Sequence, residues 1–137
     1  MKILKAYKYR LYPNKQQQEL LSKHFGCCRY IYNYALAKKI EHYTKEKKTL
    51  SRFEIQKDLV SLKNEKETKW LKEVNSQSLQ ASLVNLDQAY TRFFREKNGF
   101  PKFKSKHNKQ SCQFPQKNKV DFENNKLHVM KFREGIK

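Results

Sequence analysis

The apolar residues Ile3, Tyr7, Tyr9 and Leu11 fall on odd positions, while Lys2, Lys8 and Arg10 share the other face. This period of two predicts a strand over 3–12 with one basic face. Pro13 ends it, and Asn14 predicts a helix N-cap whose partner three residues on, Gln17, completes a capping box. The spacing then changes to threes and fours. Leu21, Phe25, Cys28, Ile31/Tyr32, Ala35/Leu36, Ile40 and Tyr43 mark the buried stripe of a long helix, with Gly26 as a soft point or a close-packing position inside it.

Ser51 and Glu54 predict a second capping box, and Leu50 and Ile55 occupy the two positions of a hydrophobic staple. A second helix therefore starts at Ser51 and buries Ile55, Leu59 and Leu62. After the polar run NEKETK, Trp70, Leu71 and Val74 predict a short packed turn. Asn75 caps a third helix with Leu79, Leu83, Leu86, Tyr90 and Phe93/Phe94 on its inner face, running to about Lys97 before Asn98-Gly99 stops it. Beyond Gly99 proline and lysine replace the helical period, and Val120–Phe122 and Leu127–Met130 predict a hairpin turning over Asn124-Asn125. The fold class expected is α+β: a mainly helical lobe of three helices, 14–97, inserted between strands of a small, incomplete β-barrel contributed by 1–13 and 98–137.

Leu, Ile, Val and Phe make up roughly a quarter of the chain, above the level of a disordered basic sequence. Thirty-one Lys and Arg against thirteen Asp and Glu give a formal charge of +18 in 137 residues. A surplus of that size repels itself and calls for an anionic partner. No apolar run reaches the length of a membrane span and the N-terminus lacks a signal-peptide core, so a cytoplasmic protein that does not enter membranes is expected.

Catalysis finds no support in the residues. The aspartates Asp58, Asp87 and Asp121 lie scattered over two helices and a strand, where solvated or capping charge is the better reading, so no Mg²⁺ cluster is expected. Cys27, Cys28 and Cys112 build neither a disulfide framework nor a CxxC zinc site. His24 stands at helical spacing from Cys28, but buried helix positions explain both. Expected catalytic residues, metals and cofactors are none.

Binding has the better signal. Between Arg92 and Lys119 nine Lys or Arg residues interleave with Phe93, Phe94, Phe100, Phe103 and Phe114 against the single acid Glu96, a pattern in which cations meet phosphates and rings stack on bases. The competing reading makes the phenylalanines core, and on the helix it is preferred for Phe93 and Phe94. Arg52 and Gln56 open the second helix four apart, and Ser76 and Gln80 open the third. Gln pairs with adenine and Arg with guanine, so two such helix beginnings converging on a groove would read a short duplex motif; solvated surface is the commoner fate of these types.

Several blocks in this order resemble the TnpB (OrfB) proteins of bacterial insertion sequences, which are RNA-guided nucleases: Lys8–Pro13 (KYRLYP), Gly26–Asn33 (GCCRYIYN), Trp70–Val74 (WLKEV), Leu79-Gln80, Asn85-Leu86, Ala89-Tyr90, Phe93–Arg95 and Gly99–Lys106 (GFPKFKSK). The resemblance implies a wedge-like barrel built by the first strand and the strands after GFPKFKSK, with the helices as a recognition lobe, both holding RNA and DNA. The helical region often carries the label helix-turn-helix in that family, although about eleven residues separate the second and third helices here, more than that motif's short turn. The family's RuvC nuclease domain lies after Lys137. The resemblance thus implies a truncated, non-cleaving portion that contacts guide-like RNA and motif DNA, with room for a separate chain supplying the nuclease domain. It puts motif reading on Arg52, Gln56, Ser76 and Gln80. Lys8, Arg10, Arg29, Arg95, Lys102, Lys104 and Lys106 become backbone contacts, with Phe100 and Phe103 stacking among them. Two readings stand beside this one: a stand-alone DNA-binding regulator or transposition accessory protein that needs no RNA, and a basic remnant without a specific partner.

Overall fold

The computed structural model describes residues 4–47, 50–96, 99–105, 107, 110–115, 118–132 and 134–137. Three α-helices form most of it: α1 (Lys15–Glu46), α2 (Arg52–Asn64) and α3 (Ser76–Glu96), with a short 3-10 helix at Lys69–Glu73 between the last two. Both halves of the expected capping box hold the start of α1. The Asn14 side chain accepts from the Gln17 N–H at 2.8 Å, and the Gln17 side chain accepts from the Asn14 N–H at 2.9 Å. At α2 the Ser51 hydroxyl accepts from the Glu54 N–H at 3.4 Å, while Leu50 and Ile55 both pack into the core as the staple requires. Asn75 accepts from the Gln77 N–H at 3.2 Å at the start of α3.

Side-chain contacts fix the helix directions. Between α1 and α3 with its cap, His24 meets Asn75, Cys28 meets Ser78 and Lys39 meets Asp87, so these two helices run parallel. Against α2, Lys39 meets Leu50 and Tyr34 meets Asp58, so α2 runs back antiparallel. The 3-10 helix continues this descent, with Trp70 beside Tyr30 and Glu73 beside Lys23, and delivers the chain to the start of α3. Leu36, Leu71, Leu79 and Leu86, each wholly buried, lie at the centre of the resulting core.

The stripe predicted for α1 departs from the structure at its far end. Ile40 and Tyr43 are 37% and 55% exposed, while His24, Cys27 and Lys39 are buried. The reason lies in α2: its first turn sits level with Lys39, whose Nζ donates to the Leu50 carbonyl at 2.7 Å, so the last turns of α1 project past it. Of the third helix's predicted inner face, Leu79, Leu83 and Leu86 are buried, but Phe94 is 67% exposed.

The strand expected over 3–12 does not form among its described residues, and the described strands make a two-stranded sheet in place of the expected barrel. Residues 4–13 carry no ladder; the N–H of Tyr12 donates to the Lys137 carbonyl at 2.6 Å, and Leu4, Tyr7 and Tyr9 are exposed. A period of two is a preference that needs a neighbouring strand to act on, and among the described residues none pairs with this segment. The hairpin does form. Strands β1 (Lys119–Asp121) and β2 (Lys126–His128) pair antiparallel, with Val120 opposite Leu127 and Asn125 at φ 52° in the turn. A single bridge adds Ile136 to Leu127 through two backbone bonds of 2.7 Å.

This end of the chain builds a second, smaller core. Val129, Phe132 and Ile136 pack with Leu20, Leu21, Phe114 and Leu127, and the buried Gln17 amide donates to the Gly135 carbonyl at 2.5 Å. The two cores meet at His24. Its ring lies 5.2 Å from that of Phe114 and 5.5 Å from that of Phe132, between carbonyl Leu20 and amide Asn75. No helix of the described residues is long and apolar enough to cross a membrane.

Candidate nucleic-acid interface

Asn33 on α1 pins the start of the segment after α3. Asn33 accepts from the Lys104 N–H and donates to the Lys104 carbonyl, both at 2.8 Å, so its amide engages both backbone groups of one residue. The Lys104 ammonium then lies 4.2 Å from the centroid of the Tyr32 ring, a cation–π contact. Phe100 is 44% exposed and meets the rings of Tyr90 and Phe93 edge-on at 5.5 and 5.3 Å. Phe103 and Lys102 face solvent. Lys106 lies outside the described residues.

The four motif-reading candidates are arranged differently from the expectation of converging helix beginnings. Because α2 and α3 run antiparallel, their first turns lie at opposite ends of the seam. Arg52 comes within 3.8 Å of Asp87, eleven residues and so roughly 16 Å along α3 from Ser76. Ser76, Gln80 and Asp87 nevertheless project within about 40° of one another around the helix axis. Arg52, Gln56, Gln80 and Ser76 thus follow one another along one side of the α2/α3 seam as a row. Gln80 and Ser76 are exposed; Arg52 and Gln56 are half-buried.

Arg52 also serves the fold. Its carboxylate partner Asp87 is shared with the buried Lys39 at 3.4 Å, and its guanidinium stacks 4.9 Å over Phe53. Asp58 accepts from the Tyr34 hydroxyl at 3.3 Å, and Asp121 accepts from the backbone and side chain of Asn124 inside the hairpin turn. Each aspartate therefore has a structural partner. Among the described residues no three His, Cys, Asp or Glu side chains come together.

The remaining cations are spread out. Lys8 and Arg10 ride on the ladder-free segment, with Arg10 5.6 Å from the Tyr12 ring, and Arg95 ends α3. Arg29 lies at the join of two clefts, with Nη1 3.5 Å from the Gln110 side chain. The larger cleft, an open groove of about 690 Å³ beside α1, is lined by Tyr30, Tyr34, Trp70 and Gly26 among others. Sequence reasoning did not single it out, because its walls come from two segments forty residues apart. Its one local signal was Gly26.

Burial pushes the Cys27 and Cys112 thiols up to about 12, and the Cys28 thiol upward, so none is a ready nucleophile. Burial pushes His24 down, with the nearby Lys131 adding to it and the Leu20 bond opposing. Nδ1 faces a carbonyl and must carry the proton, and Nε2 accepts from the Asn75 N–H, so the ring is the neutral Nδ1–H tautomer.

The site is a helical lobe with a basic, aromatic strap clamped along its first helix. Residues 1–48 match the helix-turn-helix domain of the OrfB/IS605 group. Within its described part that stretch holds one continuous helix, so the label names a family and not a local turn. The chain is 38% identical over 131 residues to a protein of Escherichia coli (strain K12) provisionally named RNA-guided DNA endonuclease InsQ, covering 96% of this chain and 33% of that protein. It is 30% identical over 134 residues to a protein of Streptomyces pristinaespiralis provisionally named RNA-guided DNA endonuclease, covering 98% and 33% respectively. Virulence protein VsdF of Salmonella dublin is 33% identical over 116 residues, which are 78% of this chain and 98% of VsdF. The chain belongs to the TnpB/OrfB family of insertion-sequence proteins, and it spans about a third of the length of the two endonuclease relatives.

Proposed function

We propose that the chain binds both RNA and DNA as the recognition portion of a TnpB-type protein and cuts neither by itself. The observation that carries this is the Asn33 clamp, which fixes Lys104 on α1 and leaves Lys102 and Phe103 exposed beside it. On this reading 14–97 is the lobe that meets motif DNA and the flanks 1–13 and 98–137 hold RNA. Lys8, Arg10, Arg29, Arg95, Lys102, Lys104 and Lys106 take phosphates; Phe100 and Phe103 stack on bases. Arg52, Gln56, Ser76 and Gln80 read base edges along the α2/α3 seam. A cytoplasmic location accords with these partners.

Binding should weaken steeply with salt, each neutralised phosphate contributing roughly 0.7 to 0.9 to the slope of log K against log salt. Replacing Lys102 and Lys104 by Ala should flatten the slope without altering sequence preference, read by anisotropy between 50 and 300 mM salt. A parent slope near zero would remove the proposal. One finding favours a second reading, a stand-alone DNA-binding protein: the likeness to VsdF extends over 98% of that relative. Equal DNA affinity with and without RNA would select it.

A further inference from the structure

The geometry points to a pocket for one unpaired nucleobase in the open groove between α1 and the 3-10 helix, an inference that rests on the nucleic-acid-binding reading above. Three aromatic side chains shape the groove. Tyr30 stacks on Tyr34 with ring centroids 6.4 Å apart, and Trp70 stands edge-on to Tyr30 at 5.0 Å. Trp70 remains 39% exposed, its indole N–H held at 2.9 Å by the Glu67 carbonyl, so the ring is fixed while part of it stays open. Arg29 and Lys23 stand on the lining, and Lys23 is tied to Glu73 at 3.2 Å. An anionic ligand with one flat ring fits such a lining: the ring among the aromatics, its phosphate toward Arg29.

Gly26 supplies the independent argument. It lies mid-way along a 32-residue helix, where glycine is the least favourable residue after proline. Among the described residues a Cβ there would meet only the Arg29 Nη2 at 3.9 Å, an ordinary contact. Packing among the described residues therefore gives no reason for glycine. Its place on the groove lining does: without a Cβ, bare helix backbone lets a planar ring approach closely.

Trp70 is the chain's one tryptophan, so its emission reports the groove directly. A uridine decamer should quench it, and an abasic decamer with the same number of phosphates should not. A 2′-deoxyuridine decamer tests the sugar: quenching by both oligomers assigns a base pocket indifferent to the 2′-hydroxyl, and quenching by the RNA alone assigns one that reads it. Gly26→Ala should weaken the quenching affinity by about tenfold, the scale of one lost base stack, while the melting temperature holds or rises. A purely structural glycine would move these the other way. Decamer binding seen by anisotropy without change in Trp70 emission would overturn the pocket and leave the wider reading standing, as would a Gly26→Ala protein that quenches like the parent. No decamer binding at 50 mM salt would instead bring down the nucleic-acid reading itself.

Discussion

His24 shows how a single residue can tie two cores together. It donates to Leu20, accepts from Asn75 and lies between Phe114 and Phe132, and protonation would put a second N–H against the Asn75 donor. Its folded pKa lies below the ordinary 6.5, so below that pH the unfolded chain binds more protons than the folded one. The stability it contributes is complete above pH about 6.5 and falls as pH drops toward the folded value, by up to about 1.4 kcal/mol per pH unit. Urea melts from pH 7.5 to 5 should show this decline, and His24→Gln should reduce it. Gln56 and Gln80 carry the proposal of base reading. Gln56→Ala and Gln80→Ala should each cost about 1 to 3 kcal/mol on the preferred duplex and much less on random duplex; equal losses in a binding titration would assign them to phosphate or solvent.

At the scale of elements, two clusters hold the parts in register. Asp87 bridges the starting turn of α2 and the buried ammonium of Lys39, so Asp87→Asn leaves a 6% exposed cation facing the Leu50 carbonyl and the Tyr90 ring without its carboxylate. The expected loss is about 2 kcal/mol, between an exposed pair and a fully buried one, measurable by denaturant titration. Asn33 plays the same part for the strap. Asn33→Ala removes two hydrogen bonds of about 1 kcal/mol each, and should speed proteolysis around 99–105 while leaving helical circular dichroism unchanged. Cleavage at the parental rate would mean that other contacts hold the strap.

The whole molecule carries +18 over two modest cores, and that surplus opposes compaction. A bound polyanion relieves it and adds mass action: an RNA oligomer at a hundred times its Kd should stabilise by about 2.7 kcal/mol, raising the melting temperature on the order of 10 °C for a domain of this size. A melt indifferent to RNA at low salt would contradict the electrostatic account. The hairpin is not the loose edge that an unfinished barrel would leave. Ile136 pairs with Leu127, Tyr12 with Lys137 and Gln17 with Gly135, so the end of the chain closes onto the start of α1.

What the sequence determined by itself was local: the Asn14–Gln17 box, the Ser51 cap with its Leu50/Ile55 staple, the stripes of α2 and of the first half of α3, the turn at Asn125. These depend on neighbours three or four positions away, and spacing encodes them. The family was legible too, since its blocks are strings of adjacent residues. Tertiary structure alone decided the rest. Residues 4–13 alternate like a strand yet join no ladder among the described residues, because pairing depends on what lies alongside. Lys39 is charged yet buried, because Asp87 from another helix meets it. The seam that lines up Arg52, Gln56, Gln80 and Ser76 exists only through the antiparallel packing of α2 on α3. The groove at Gly26 needs Trp70, brought there from forty-four residues further along the chain by the descent of α2, a long-range contact that no local period contains.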